Sequence, residues 1–272
     1  MKKLGSWMLA AVSCAAKTGF ISRSTWFDVL SRGDSTWKYE QWRLLMSRGL
    51  LCCSVRFDMS KDILVLTDKG RRVAQKVLQL DPVDPPFPDS IEHDTLASQY
   101  ALKLMEREMI TNWWSEQETK RDNYTYNRFD PEGKKKIKFP DLIIQLAVPG
   151  NEIGMAVEIE RTLKDSSRYI EIIDKYKRLK NIDSVIFLTS TAKIAKAIGI
   201  AQDRRSYPKD LRPFIFGDLK TVLENPGVAP LNINGKSINL ESEVQRLRFM
   251  RKAECALKTP KSLKNDHKDC GH

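Results

Sequence analysis

The chain has 272 residues, 41% of them hydrophobic, and carries 46 Lys and Arg against 35 Asp and Glu, a formal charge of +11. Its length exceeds one ordinary compact domain and favours two cores, and the basic surplus favours a polyanionic partner, nucleic acid first, because neutralised phosphates release condensed counterions. Three histidines, two of them in the polar tail (His267 and His272), argue against a catalytic metal site built on several histidines, and the five cysteines show no CxxC spacing, which argues against a zinc ribbon.

In chain order, Met1-Lys2-Lys3 and the weakly apolar run to Ala16 imitate a secretory leader. Leu4, Met8, Ala11, Val12, Ala15 and Ala16 recur at helical spacing, however, and the pattern runs on without a processing break. A first core helix of a cytoplasmic protein is therefore the expectation, with reduced thiols. No apolar run of about 18 residues occurs, so no membrane insertion is expected.

Thr18 to Ser22 reads as a turn, after which Ser22 or Ser24 can cap a short helix to Leu30. Gly33-Asp34-Ser35-Thr36 offers caps for a third helix from about Trp37 to Arg48, closed by Gly49. Leu50 to Phe57 and Ile63 to Thr67 are two apolar runs around a polar turn, the pattern of a hairpin, and another helix starts at Thr67-Asp68-Lys69-Gly70-Arg71-Arg72. Three helices, a hairpin and a closing helix make a winged helix-turn-helix over residues 1–80, with the third helix in the major groove. Lys38, Arg43, Arg48, Lys69, Arg71 and Arg72 are the candidate DNA contacts. Residues 81–90, with Pro82, Pro85, Pro86 and Pro88, cannot continue a helix and read as a linker.

A second domain over residues 91–241 begins with a helix expected from Ile91 to about Ser115, Trp113 and Trp114 near its end. Phe139 to Leu146 and Gly154 to Arg161 read as strands around the turn Pro149-Gly150-Asn151. Within the second, Val157 and Ile159 share one face while Glu158 and Glu160 share the other. Together with Asp141 from the neighbouring strand, those two carboxylates supply the hard oxygen ligands that Mg²⁺ or Mn²⁺ takes, and a metal-bound water could attack a phosphodiester. An amphipathic helix from Asp165 to Lys180 follows, with Tyr169, Ile172, Ile173, Tyr176 and Leu179 inward and Lys175 beside that face. Ser184 to Thr189 then reads as a buried strand fed by that crossover, Ala192 to Gln202 as helix, Phe214 to Phe216 as strand and Leu219 to Glu224 as a helical turn. Residues 242–272 form a basic tail, helical over Val244 to Leu257 and then polar.

Pro140-Asp141, then Glu158-Ile159-Glu160, then Lys175-Tyr176 in the next helix resembles the PD-(D/E)XK nuclease pattern, in the variant of the replication-relaxation family that includes MobC-type plasmid mobilisation relaxases. Ser47-Arg48-Gly49-Leu50-Leu51 and the Leu66 to Arg72 segment are similar to that family too, and the resemblance spans most of residues 1–217. It implies an overall α/β (α+β) chain, a winged helix followed by a restriction-endonuclease-like domain. It also implies that Asp141 and Glu158 are metal ligands and that Glu160 stands where the common pattern has lysine, a place that Lys175, or Lys164 in reserve, would fill. His93 resembles a polar family position, although a lone histidine at a helix start is more often a cap or a surface residue.

The activity so implied is single-strand nicking at a plasmid transfer origin to start conjugative mobilisation. Double-stranded and nicked plasmid DNA would be the partners, with an accessory mobilisation protein and a coupling protein of a secretion apparatus. Whether Tyr124 or Tyr126 joins DNA covalently is not legible from spacing. A non-catalytic DNA-binding regulator and a restriction-type nuclease are the rival readings.

Overall fold

The computed structural model describes residues 4–60, 62–121, 139–150, 153–176, 182–204 and 213–258, with side chains described as far as Arg251. Helix α1 (Ser6–Thr18) buries Ala11, Val12, Ala15 and Ala16, and ends on Gly19, whose φ of 85° lets its N–H return to the Ala15 carbonyl at 3.0 Å. Strand β1 (Ile21–Ser22) leads into α2 (Arg23–Thr25), capped by Ser22, and a π-helical turn at Trp26–Leu30. Asp34 caps α3 (Ser35–Ser47), accepting from the Trp37 N–H at 2.8 Å. Strands β2 (Leu51–Cys52) and β3 (Ile63–Leu66) then precede α4 (Asp68–Val77), which Thr67 caps.

These strands form an antiparallel sheet in the order β1-β3-β2, packed on a core that includes Trp26, Trp42, Leu45 and Leu64. The hairpin is shorter than the apolar pattern predicts. Val55–Phe57 curls into a 3-10 turn, Asp58 and Met59 take left-handed φ of 49° and 54°, and the ladder stops at Cys52. The Ile21–Ser22 segment, expected as a turn, instead pairs with β3.

Gly70 shows how tightly α4 sits on this sheet. A Cβ there would lie 2.1 Å from the Leu50 carbonyl oxygen. Gly70→Ala is expected to push α4 off the end of β2 and to cost about 2–3 kcal/mol, measured by urea unfolding; wild-type stability would show that the helix yields without loss.

The remaining elements are α5 (Ile91–Glu106), β4 (Ile110–Ser115), α6 (Glu116–Arg121), β5 (Leu142–Leu146), β6 (Gly154–Glu160), α7 (Ser166–Tyr176), β7 (Ser184–Thr189), α8 (Ala192–Arg204), β8 (Phe214–Asp218), α9 (Leu219–Glu224), β9 (Leu231–Ile233), β10 (Lys236–Ile238) and α10 (Leu240–Lys258). Seven strands form one mixed sheet in the order β10-β9-β8-β7-β6-β5-β4, parallel only at β6-β7-β8. One face carries Val157 and Ile159 against Tyr100, Leu104, Leu219 and Val244 of α5, α9 and α10; the other carries Ala156 and Phe187 against Tyr169, Ile173 and Ile198 of α7 and α8.

The helix expected to run to Ser115 ends at Glu106, and Trp113 and Trp114 lie on β4. Glu108, with φ of 55°, breaks the helix, and the β-favouring run Ile110 to Trp114 finds its backbone partners on β5. The β9-β10 hairpin was also not expected, although Asn234-Gly235 at its tip is a strong two-residue turn signal.

A polar seam joins α1 to this second sheet. Lys17 Nζ, buried, donates to the Trp113 carbonyl at 2.7 Å and to Glu118 Oε1 at 3.1 Å, and lies 4.9 Å from the Trp113 ring centre. The Ser115 hydroxyl donates to the Lys17 carbonyl, and Glu118 Oε2 accepts from the Ser115 N–H at 2.9 Å. Val83, in the proline-rich stretch, is buried and donates its N–H to Ala16 at 2.9 Å, so this segment lies along α1.

Candidate functional site

The register Leu142↔Val157 puts Asp141, one residue before β5, across from Glu158 on β6, with Glu160 two residues further on. Pro140 has no N–H to offer a ladder, and the strand pairing begins only after Asp141. The Asp141 carboxylate turns to the sheet end, where Oδ2 accepts from the Ile159 N–H at 2.7 Å and lies 3.1 Å from His93 Nε2. Glu158 and Glu160 share the opposite face from Val157 and Ile159, as strand alternation predicts. Glu158 accepts from the Tyr176 hydroxyl of α7, and Glu160 is clasped by Lys164 at 2.7 and 2.5 Å. All three carboxylates are withdrawn from solvent, with exposures of 9%, 0% and 1% for Asp141, Glu158 and Glu160.

His93, at the first turn of α5, is neither a cap nor a surface residue. Its Nε2 also meets the Ile159 carbonyl at 3.0 Å, and its Nδ1 lies 3.8 Å from Asp94. Burial alone would lower the imidazole pKa, but the hydrogen bonds to Asp141 and Asp94 and the Asp141 charge outweigh it, and the pKa is pushed up from 6.5 to about 10. His93 therefore adds stability that is fully present below about 6.5 and is lost as pH rises through about 10. We expect the stability gap between wild type and His93→Ala, on the order of a few kcal/mol near neutrality, to close by strongly alkaline pH in urea titrations; a pH-independent gap would contradict this linkage.

Glu116 and Asp94 enlarge the acid group on the α5 side. Burial raises the Glu116 pKa, opposed by its 2.9 Å pair with Lys120, while the Asp141 and Asp94 charges raise it further. Sequence reasoning missed both, since nothing local marks α6 as a neighbour of Asp141. Tyr176, and not Lys175, is the α7 residue that reaches Glu158; Lys175 is half-buried one position earlier. Lys164 meets Glu160 directly.

Three carboxylates are the donors a hard divalent cation takes. Their placement differs from the expected convergence: each has its own partner, and among the described residues no three Asp, Glu, His or Cys side chains are grouped to hold one ion. The residues match such an ion in kind and not in arrangement.

Of the basic residues in the first part, Arg43, Arg48, Lys69 and Arg72 are exposed, and Lys69 Nζ donates to the Arg48 carbonyl at 2.6 Å, which brings the start of α4 to the end of α3. Lys38 Nζ donates to the Phe27 carbonyl at 2.7 Å and Arg71 pairs with Asp84 at 3.0 Å. Tyr124 and Tyr126 lie outside the described residues. No described helix is long and apolar enough to cross a membrane. Neither family models, nor curated proteins, nor solved structures give a match to this chain.

Proposed function

We propose that the chain is a plasmid-mobilisation protein of the relaxase kind, which holds duplex DNA through an N-terminal winged helix and nicks one strand at an acidic centre in a nuclease-like second domain. Three carboxylates buried at adjoining ends of β5 and β6 carry the reading. Withdrawing a carboxylate from water costs several kcal/mol even when it is paired, and a sheet end has no folding need for three. Buried acids of this kind are found at reaction centres. The +11 charge supports a phosphate-rich partner, and exposed Arg43, Arg48, Lys69 and Arg72 supply its contacts. Mg²⁺ or Mn²⁺ is the cofactor that this reading requires; Asp141, Glu158 and Glu160 would have to turn from the arrangement described here to hold it together, with Lys175 or Lys164 as the accompanying cation. Nicked plasmid DNA, an accessory mobilisation protein and a coupling protein are the partners.

A second reading, a DNA-binding regulator without cleavage, is favoured by one observation: among the described residues the three carboxylates are not grouped to hold one ion. Supercoiled plasmid bearing a candidate transfer origin distinguishes them. Nicked circles with Mg²⁺ and none with a chelator support the relaxase, linear product supports a restriction-type nuclease, and a mobility shift without cutting supports the regulator.

A further inference from the structure

Strand β6 ends on Glu160, whose side chain is 2% exposed, and the chain then leaves the sheet through a largely exposed loop, Arg161 to Asp165. Lys164 stands in that loop. Its main-chain N–H donates to the Tyr169 hydroxyl of α7 at 3.1 Å, which holds the loop over the first turns of the helix. Its ammonium folds back onto both oxygens of Glu160, at 2.7 and 2.5 Å. With 34% of its side chain exposed, the lysine reaches inward from the surface to an acid that lies beneath it.

A carboxylate withdrawn from water needs a compensating charge, and Lys164 already supplies it. Because the ammonium straddles both oxygens, a divalent cation reaches Glu160 only by displacing it, and two cations a few ångströms apart repel. Asp141 shows the same pattern, with Oδ2 3.1 Å from His93 Nε2. The mismatch between these acids and a metal site therefore has a physical content: charge that an ion would neutralise is met by side chains of the chain itself. Lys164 is the partner carried by a loop and not by a helix, so it can leave its acid without unpacking a core.

We propose that Lys164 is a built-in counterion that competes with a divalent cation for Glu160, so that the chain as folded holds such an ion weakly and holds it well only when this lysine is drawn away. The inference rests on the metal-dependent reading above for its choice of ion. The full-length chain, stripped of metal with a chelator, is titrated with Mn²⁺ in the absence of DNA, and unbound Mn²⁺ is read by electron paramagnetic resonance. Lys164→Gln, which keeps an N–H donor for Glu160 and drops the charge, is expected to bind Mn²⁺ about tenfold more tightly than wild type, near the low end of what close charge pairs contribute. Lys164→Arg and Lys175→Gln are expected to stay at the wild-type value. Adding Glu160→Gln to Lys164→Gln should erase the gain. A second measurement uses the unsubstituted chain: acetylation of Lys164 by acetic anhydride, followed by mass spectrometry, should quicken severalfold as Mn²⁺ saturates, because competition is reciprocal, while labelling of Lys175 stays constant. Wild-type Mn²⁺ affinity in Lys164→Gln overturns the proposal. So does a gain that survives loss of the Glu160 charge, or Lys164 labelling that ignores bound Mn²⁺. No DNA is cut in these measurements, so the counterion and the nicking activity fail separately.

Discussion

Glu158→Ala is expected to abolish plasmid nicking, by about 10³-fold or more, with duplex affinity within about twofold of wild type. The reasoning is electrostatic: a charge centre for phosphodiester cleavage contributes several kcal/mol to the transition state, and each 1.36 kcal/mol is tenfold in rate. Glu158 is the most deeply withdrawn of the three acids, at 0% exposure, and it stands across from Asp141 in the register. Truncation to alanine also removes the acceptor of the Tyr176 hydroxyl. Glu158→Gln, which keeps an acceptor oxygen there, separates lost charge from lost packing: it should cut as poorly as the alanine variant while melting near wild type. The proposal puts DNA binding elsewhere, on α3 and α4, so mobility shifts should persist. Cleavage by Glu158→Ala at the wild-type rate would leave a DNA binder.

The second large effect lies at the polar seam. Lys17→Met is expected to destabilise the protein by about 3–5 kcal/mol, because it strands Glu118 as an uncompensated buried charge. The two side chains are only 10% and 9% exposed. Burial already raises the Glu118 pKa against the opposing Lys17 charge and Ser115 N–H, so the single variant should protonate Glu118 at a higher pH than wild type. Replacing both partners, Lys17→Met with Glu118→Leu, should recover most of the loss, since apolar pairs of like volume often serve as well as a buried ion pair. Urea unfolding at neutral pH measures all three. A Lys17→Met protein of wild-type stability would mean that solvent reaches the seam freely.

The parts of this protein that could be read from its residues are those where one side-chain period persists. Val157 and Ile159 against Glu158 and Glu160 fixes the two faces of β6, and Tyr169, Ile172, Ile173 and Tyr176 fix the buried stripe of α7. Caps were legible too, as at Ser22 and Asp34, because the side chain serves an N–H only three residues away. What failed depended on partners distant in the chain. Ile110 to Ser115 becomes a strand through pairing with β5, and Ile21–Ser22 through pairing with β3. His93 meets Ile159 across 66 positions, a contact that no local pattern encodes. That Asp141 lies across from Glu158 followed from strand adjacency, but the expected convergence of the three acids did not hold: they meet His93, Tyr176 and Lys164, because a face shared along a strand says nothing of which way a carboxyl turns at its end.

The bonds that tie α1 to β4 and α6 have a consequence for how such a molecule would work along a double helix. With Lys17, Ser115, Glu118 and the Ala16–Val83 contact locking the first core to the second, the offset between the reading helix and the acids is set once, at folding. If the proposed activity holds, a protein so built would act as a ruler, cutting a constant number of base pairs from whatever it grips. Lengthening the proline-rich stretch at its exposed Asp84 would leave that number unchanged.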